Sequence, residues 1–197
     1  MYTFGMFSYV YLFTSFWLVT GAYIDGWAHN HVPELETFFT PWHAVLYSGY
    51  LAMVLTLLLW IWLRKRKGHS WREAVPEGHG LSLLGAGVFF FGGIGDMLWH
   101  IAFGIEAGIE ALLSPTHLLL ATGAFLLFSG GARHVLRGNC FLCHGEELLE
   151  RSGKSHESMC KKQLHLRMTQ MMYILSVTFC MMILTYMTQF ARYTQIL

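Results

Sequence analysis

Long apolar stretches alternate with shorter polar segments along the chain. Five of the stretches have the length that a helix needs to cross a hydrocarbon core of about 30 Å. The pattern therefore predicts an all-α fold, a polytopic membrane helical bundle of about five transmembrane helices forming a single domain over residues 1–197. The predicted spans cover residues 4–24, 42–63, 81–103, 115–128 with its flanks, and about 170–191.

Composition supports a membrane protein. Hydrophobic residues make up 54% of the chain and charged residues only 13%, whereas a soluble domain carries roughly 25% charged residues. The first apolar stretch lacks a basic amino-terminal region and a small-residue cleavage site, so it is predicted to be a retained helix rather than a secretory signal. The expected partner is therefore the lipid bilayer, and no nucleic-acid partner is expected.

Basic residues are distributed unevenly among the loops, and this distribution predicts the orientation. The first and third loops contain no Lys or Arg. The positive-inside rule places the second and fourth loops, the latter covering about residues 132–169, in the cytoplasm. With five spans the amino terminus is then inside, in a plasma or inner membrane. The basic loop residues are Arg64, Lys65, Arg66, Lys67 and Arg72, followed by Arg133, Arg137, Arg151, Lys154, Lys161, Lys162 and Arg167.

A motif occurs twice, once in each outer loop and the helix ends beside it. Each copy reads Asp-x3-His, a spacer, and then Glu-x3-[Ser/Thr]-Pro-x-His. The copies predict a parallel two-helix repeat in which helices 1 and 2 (about residues 5–65) and helices 3 and 4 (about 80–132) form equivalent units. The first copy comprises Asp25, His29, Glu36, Thr40, Pro41 and His43, and the second Asp96, His100, Glu110, Ser114, Pro115 and His117.

The spacing within each copy predicts that its polar side chains converge. An Asp and a His four residues apart lie on one face of a helix. Thr40-Pro41 and Ser114-Pro115 are typical of an N-cap followed by proline at the first helical position. His43 and His117 then fall in a first helical turn, where the helix dipole favours the neutral imidazole that binds metals.

The depth of these residues indicates a functional site. Asp96 and His100 follow an apolar run, and ionisable residues inside a membrane are costly and mark functional sites. We therefore expect a metal site near the outer leaflet. Neutral imidazole with carboxylate suits copper, zinc or iron(II), and the residue types alone do not choose among them. The predicted metal ligands are Asp25, His29, His43, Asp96, His100 and His117, and Glu36 and Glu110 are predicted to hydrogen-bond those ligands or relay protons.

These motifs resemble the paired metal-ligand motifs in the C subunit of copper-dependent membrane monooxygenases, the methane and ammonia monooxygenases. The resemblance covers roughly residues 20–125. It implies copper held by Asp25, His29 and His43, with His100 and the residue at Asp96 as the adjoining ligand set. It also implies that other membrane subunits belong to the assembly, since the family enzymes need two more. The chain departs from the family at Asp96, where the family typically has Asn, and in a longer spacer to His117.

Cys140, Cys143 and His144 form a separate pattern, Cys-x2-Cys-His, which is that of covalent c-type haem attachment. The predicted cytoplasmic side argues against haem. A small zinc site and a polar loop with free thiols are the other interpretations.

The leading functional hypothesis is a copper-binding membrane protein similar to the monooxygenase C subunit, with its site near the outer leaflet. If the protein oxidises a small apolar substrate, the metal would activate dioxygen. A non-catalytic protein of metal uptake, storage or sensing is the first alternative. A membrane c-type haem electron-transfer protein is the second.

Overall fold

The computed structural model describes residues 2–32, 38–103, 113–150 and 170–186, and the regular structure in these ranges is entirely α-helical. Four helices are long and apolar enough to cross a membrane, and a fifth apolar helix is shorter. The predicted all-α membrane bundle is confirmed. The helices are α1 (Tyr2–His31), α2 (Pro41–Arg66), α3 (Trp71–Ala74), α4 (Gly80–Phe103), α5 (Pro115–Glu150) and α6 (Gln170–Tyr186).

Two helices extend past the ends that hydropathy predicted. α1 continues to His31, and α5 continues to Glu150 through residues that were predicted to belong to a loop. The stretch of α5 that is apolar enough to span a membrane ends earlier, at Arg137. Hydropathy marks the part of a helix that lipid can accept, whereas the backbone hydrogen bonds of the helix continue equally well into a polar environment.

The predicted helix starts are confirmed at the atomic level. Thr40 has extended backbone angles, and its hydroxyl accepts a hydrogen bond of 3.2 Å from the His43 backbone N–H at the start of α2. Ser114 does the same for α5, accepting from the His117 backbone N–H at 3.3 Å. In both helices the next residue is the proline of the motif, which has no N–H to leave unsatisfied.

The two-helix repeat extends into the packing of each helix pair. Gly21 and Gly92 both lie four residues before the aspartate of their unit. A Cβ atom on Gly21 would lie 2.7 Å from the Leu46 Cα, and one on Gly92 would lie 3.0 Å from the Leu120 backbone nitrogen. Leu46 and Leu120 occupy equivalent positions, six residues after Thr40 and Ser114. The repeat therefore includes the point where the helices of each pair touch.

A second pair of glycines makes the reciprocal contact. Gly49 and Gly123 both lie nine residues after the helix cap of their unit. A Cβ on Gly49 would lie 2.8 Å from the Leu18 Cα, and one on Gly123 would lie 2.6 Å from the Phe89 backbone nitrogen. Helices in membranes associate through such small residues because close backbone approach maximises van der Waals contact.

Tyrosine hydroxyls connect the two units and attach α6. Tyr50 of α2 donates to the Ala86 carbonyl of α4 at 2.8 Å, and Tyr11 of α1 donates to the Leu127 carbonyl of α5 at 2.8 Å. Tyr23 of α1 donates to a carbonyl of α6, that of Met182, at 3.0 Å. Each hydrogen bond satisfies a hydroxyl group that lipid tails cannot satisfy. These bonds therefore favour this arrangement of the helices over others.

His79, just before α4, closes the end of the bundle opposite to the repeated motif. It is fully buried, and its ring stands edge-on to Tyr11 with the centroids 4.8 Å apart. Its Nδ1 donates to the Glu77 carbonyl at 3.0 Å. Burial, together with smaller contributions from the nearby His134 and Arg133, lowers the pKa of His79 to about 4.

We predict that Gly123→Ala destabilises the protein, because the added methyl would overlap the Phe89 backbone. Overpacking of this kind costs about 1–3 kcal/mol. Gly87→Ala is the matched control, since a Cβ at Gly87 meets nothing within 4 Å. Thermal unfolding in detergent should show a lower Tm for Gly123→Ala and an unchanged or slightly higher Tm for Gly87→Ala. Equal Tm values for the two variants would contradict the proposed helix contact.

We also predict that His79 makes stability depend on pH. The unfolded chain protonates this imidazole below about pH 6.5, whereas the folded chain resists protonation down to about pH 4. The stability that neutral His79 contributes is therefore present above pH 6.5 and is lost as the pH falls toward 4. His79→Gln should lose less Tm than the wild type between pH 7.5 and pH 5. Parallel curves for the two proteins would rule out the effect.

Candidate metal centre

The polar end of the bundle is formed by helix ends that face one another. The last two turns of α1 and α4 present the Asp-x3-His pairs, and the first turns of α2 and α5 present the remaining histidines. Rings from different units approach closely, with centroid separations of 6.0 Å for His29 and His100 and 6.0 Å for His43 and His100. The two copies of the motif therefore form one cluster rather than two distant sites.

Three histidines form the first group within this cluster. His29, His43 and His100 each present a ring nitrogen, and these nitrogens lie within 4.8 Å of one another. We refer to them as the three-histidine group. The Oδ1 atom of Asp25 lies beside the group, 3.5 Å from the His43 Nε2 and 3.8 Å from the His29 Nδ1. The three-histidine group therefore combines one histidine of the second repeat unit, His100, with two histidines of the first.

Asp96, His100 and His117 form the second group, which we call the Asp96 group. Their ligand atoms also lie within 4.8 Å of one another. The Asp96 Oδ1 is 3.6 Å from the His100 Nε2 and 3.5 Å from the His117 Nε2. Because His100 belongs to both groups, the two groups adjoin.

The separations between carboxylate and imidazole fit ligands of a common ion. Two ligand atoms that each lie about 2.0–2.1 Å from one tetrahedral ion are separated by roughly 3.3 Å. The observed separations between an Asp oxygen and a His Nε2, 3.5–3.6 Å, are close to that value.

In His29, His43 and His117 the Nδ1 atom contacts a nearby oxygen of its own helix or helix cap, and Nε2 is the other ring nitrogen. The His29 Nδ1 lies 2.9 Å from the Asp25 backbone oxygen, which can only accept, so Nδ1 carries the proton. The His43 Nδ1 contacts the Thr40 hydroxyl at 3.1 Å, and the His117 Nδ1 contacts the Ser114 hydroxyl at 2.8 Å. A neutral imidazole that donates through Nδ1, as His29 does, offers the Nε2 lone pair to a metal.

The cluster is buried, and within the described residues its carboxylates have no Lys or Arg partner. Asp96 is 1% exposed and Asp25 8%. Among the described residues neither carboxylate pairs with a Lys or Arg, and the ion-pair contacts of both are to histidines alone. Within the same part of the chain, the buried Asp25 Oδ1 and His29 Nε2 have no hydrogen-bond partner. Two buried carboxylates and an available imidazole nitrogen are the donor set that fits a bound cation.

Three further residues, which the sequence motifs did not single out, contact the cluster. Phe38 stacks on His43 with the ring centroids 4.6 Å apart. Tyr47 and Thr116 each direct a hydroxyl at an Asp96 oxygen, at 3.5 Å. Tyr47 lies four residues after His43, so helical spacing is a signal that could have identified it. Thr116 lies inside the Ser-Pro-Thr-His motif, and its contact with Asp96 depends on how α4 and α5 pack.

An apolar cavity of about 190 Å³ adjoins the cluster between α2 and α4. Phe38 and Tyr47 belong to both the cavity wall and the surroundings of the ligands. Single side chains, those of Phe38 and Tyr47, therefore separate the cavity from His43 and Asp96. Its lining residues are Phe38, Tyr47, Tyr50, Phe89, Phe90, Gly93, Ile94 and Met97.

Some predicted residues lie outside what the structure describes. Glu36 and Glu110 fall in the segments that are not described, so their predicted roles stay predictions. Cys140, Cys143 and His144 lie on the helical backbone of α5, where a loop was expected, and their side chains are likewise outside the description. The zinc and haem interpretations of this segment are therefore untested.

All six predicted ligands thus lie in one buried cluster at one end of the bundle. This arrangement can hold a transition-metal ion in either of two adjoining groups. Comparison with known proteins found no matching family model, no matching curated protein and no matching solved structure.

Proposed function

We propose that this chain is an integral membrane protein whose Asp/His cluster binds copper. The observation that carries the proposal is the convergence of buried carboxylate oxygens and imidazole nitrogens from four helix ends, without a Lys or Arg partner among the described residues. A cation at this position would compensate the charge of both carboxylates. The ligand residues would be Asp25, His29, His43, Asp96, His100 and His117.

The choice of copper rests on the ligand types together with the family resemblance. Imidazole nitrogen is a ligand for copper, zinc and iron alike. The resemblance of the repeated motifs to the C subunit of the membrane monooxygenases favours copper among the three. In that family copper supplies the activation of dioxygen, and two further membrane subunits complete the enzyme. Co-purification of two such subunits would support an oxygenase, and their absence a stand-alone protein of metal uptake, storage or sensing.

The apolar cavity supports a reaction on a small apolar substrate. Its volume of about 190 Å³ exceeds that of an engineered cavity of about 150 Å³ that binds benzene. Phe90 and Ile94 of the lining are partly exposed on the outside of the bundle, so an apolar molecule dissolved in lipid would have a direct route in. Phe38 lies between the cavity and His43, where it would keep water from the ligands.

The membrane orientation is proposed from charge. The α2–α3 connection with its cluster of Lys and Arg would face the cytoplasm, and the metal centre would then face the outer side. Trp62 and Trp71 lie at the same end, stacked under Arg66 and Lys65 at 4.3 and 4.6 Å. Such pairs are suited to the interface between headgroups and lipid tails.

Metal analysis of the purified protein tests the proposal directly. We expect bound copper in the wild type after tag removal and dialysis, and the loss of at least one equivalent in His43→Ala and in His117→Ala. His31→Ala is the matched control, because His31 is exposed at the same end of α1 and its hydrogen bond within the described part of the chain is local, to the Trp27 carbonyl at 2.9 Å. Cys140→Ser and Cys143→Ser should be present in every protein, so that thiol-bound metal does not contribute.

The outcomes separate the parts of the proposal. Unchanged metal content in both His43→Ala and His117→Ala would refute the cluster as a metal site. Binding of zinc with no binding of copper would keep the site and refute the metal. Equal losses in His31→Ala and the cluster variants would point to unspecific surface binding and would also refute the site.

Topology reporters test the orientation. A fusion or a single introduced cysteine at Gly68, between α2 and α3, should report a cytoplasmic position, and one at Phe39, before α2, should report the outer side. Gly68 has open space around it and Phe39 is 82% exposed, so both positions tolerate a label. Reversed labelling would overturn the proposed side of the metal centre.

A further inference from the structure

We propose that Tyr47 and Thr116 are positioning residues that orient Asp96 as a metal ligand, through hydroxyls that have no counterpart at the equivalent positions of the other repeat unit. This inference rests on the proposed metal function. It concerns a difference between the two copies of the motif, namely the side chains that surround Asp96 and those at the equivalent positions near Asp25.

The hydroxyl contacts to Asp96 come from two different helices. Tyr47 of α2 directs its hydroxyl at the Asp96 Oδ2, and Thr116 of α5 directs its hydroxyl at Oδ1, both at 3.5 Å. The Ser114 hydroxyl lies 3.0 Å from that of Thr116 and continues the chain of contacts to His117. Both carboxylate oxygens of Asp96 therefore have a hydroxyl neighbour, one on each side.

At the equivalent positions of its own unit, Asp25 has no hydroxyl to orient it. Counted from the helix caps, the repeat counterpart of Tyr47 is Ala121, and that of Thr116 is Trp42. Neither can donate a hydroxyl. In agreement with this, the Asp25 Oδ1 accepts no hydrogen bond from the described residues. The difference between the two carboxylates thus follows from side chains that break an otherwise symmetrical repeat.

The surroundings of Tyr47 hold its ring in place. A Cβ atom on Gly93 would lie 2.8 Å from the Tyr47 Cε1, so the ring reaches Asp96 only because residue 93 has no side chain. Phe38 and Phe89 lie against the ring with centroids at 5.8 and 6.2 Å. Because the ring is already packed, little conformational freedom is lost when its hydroxyl orients Asp96. Supporting residues that are held in place in this way pre-organise a site.

Pre-organisation of a ligating carboxylate strengthens metal binding. Outer hydrogen-bond partners of metal ligands typically contribute 10–100-fold to affinity. We therefore expect Tyr47→Phe and Thr116→Val each to weaken copper binding at the Asp96 group by about tenfold or more. Thr116→Ser keeps the hydroxyl and should retain the wild-type affinity.

Copper titration with competition by a chelator of known affinity measures the effect. Tyr50→Phe is the matched control, since Tyr50 lies one turn from Tyr47 on α2 and lines the same cavity, but donates to the Ala86 carbonyl rather than to a carboxylate. The electron paramagnetic resonance spectrum of bound copper(II) should change in Tyr47→Phe and stay unchanged in Tyr50→Phe. A loss of packing alone would affect both tyrosine variants.

A double-mutant cycle with Asp96→Asn tests whether Tyr47 acts through Asp96. We expect Tyr47→Phe to have less effect in the Asp96→Asn background than in the wild type. An equal effect in both backgrounds, equal affinities of Tyr47→Phe and wild type, or equal losses in Thr116→Ser and Thr116→Val would each overturn the inference. A wild type that binds no copper would instead refute the proposed function, so the two failures are distinguishable.

Discussion

The burial of two carboxylates inside an apolar helix bundle is the constraint around which the rest of the structure is organised. Asp25 and Asp96 lie at the polar end of α1 and α4, each within 4 Å of two imidazoles. Buried charge of this kind costs several kcal/mol unless it is compensated. A bound cation would compensate both carboxylates at once, and the surrounding histidines are of the residue type that a transition metal would use as ligands.

The packing of the helices supports this arrangement directly. Gly21 and Gly92 lie one turn before the two aspartates, at the points where α1 meets α2 and α4 meets α5. Close backbone contact there brings the His43 and His117 ends of the second helices toward the Asp-x3-His faces of the first. The distance between ligands from different helices is therefore set by glycine contacts only a few residues away, in the same way in both units.

The sequence predicted which side chains of each motif copy lie together, because each half of the motif is local. Asp25 and His29 are neighbours on one helical face, and Thr40 and Ser114 cap helices through contacts to residues three positions ahead. The ends of α1 and α5 were less predictable, since hydropathy changes where lipid ends and a helix need not. The contacts of Phe38 and Thr116 with the cluster could not be read from the chain, because they join residues whose approach depends on packing.

By itself, the sequence determined the membrane-helical fold, the repeat and the six Asp and His side chains of the motif that come together, because hydropathy, periodicity and capping act over a few residues. Only the tertiary structure decided that the two copies merge. His100 of the second unit stands with His29 and His43 of the first, since the helix pairs pack side by side with their polar ends together. The tertiary structure also decided that Asp96 and Asp25 differ, because Tyr47 crosses from one unit to the other. Contacts between units have no periodic signature along the chain, so they become visible only when the helices are assembled.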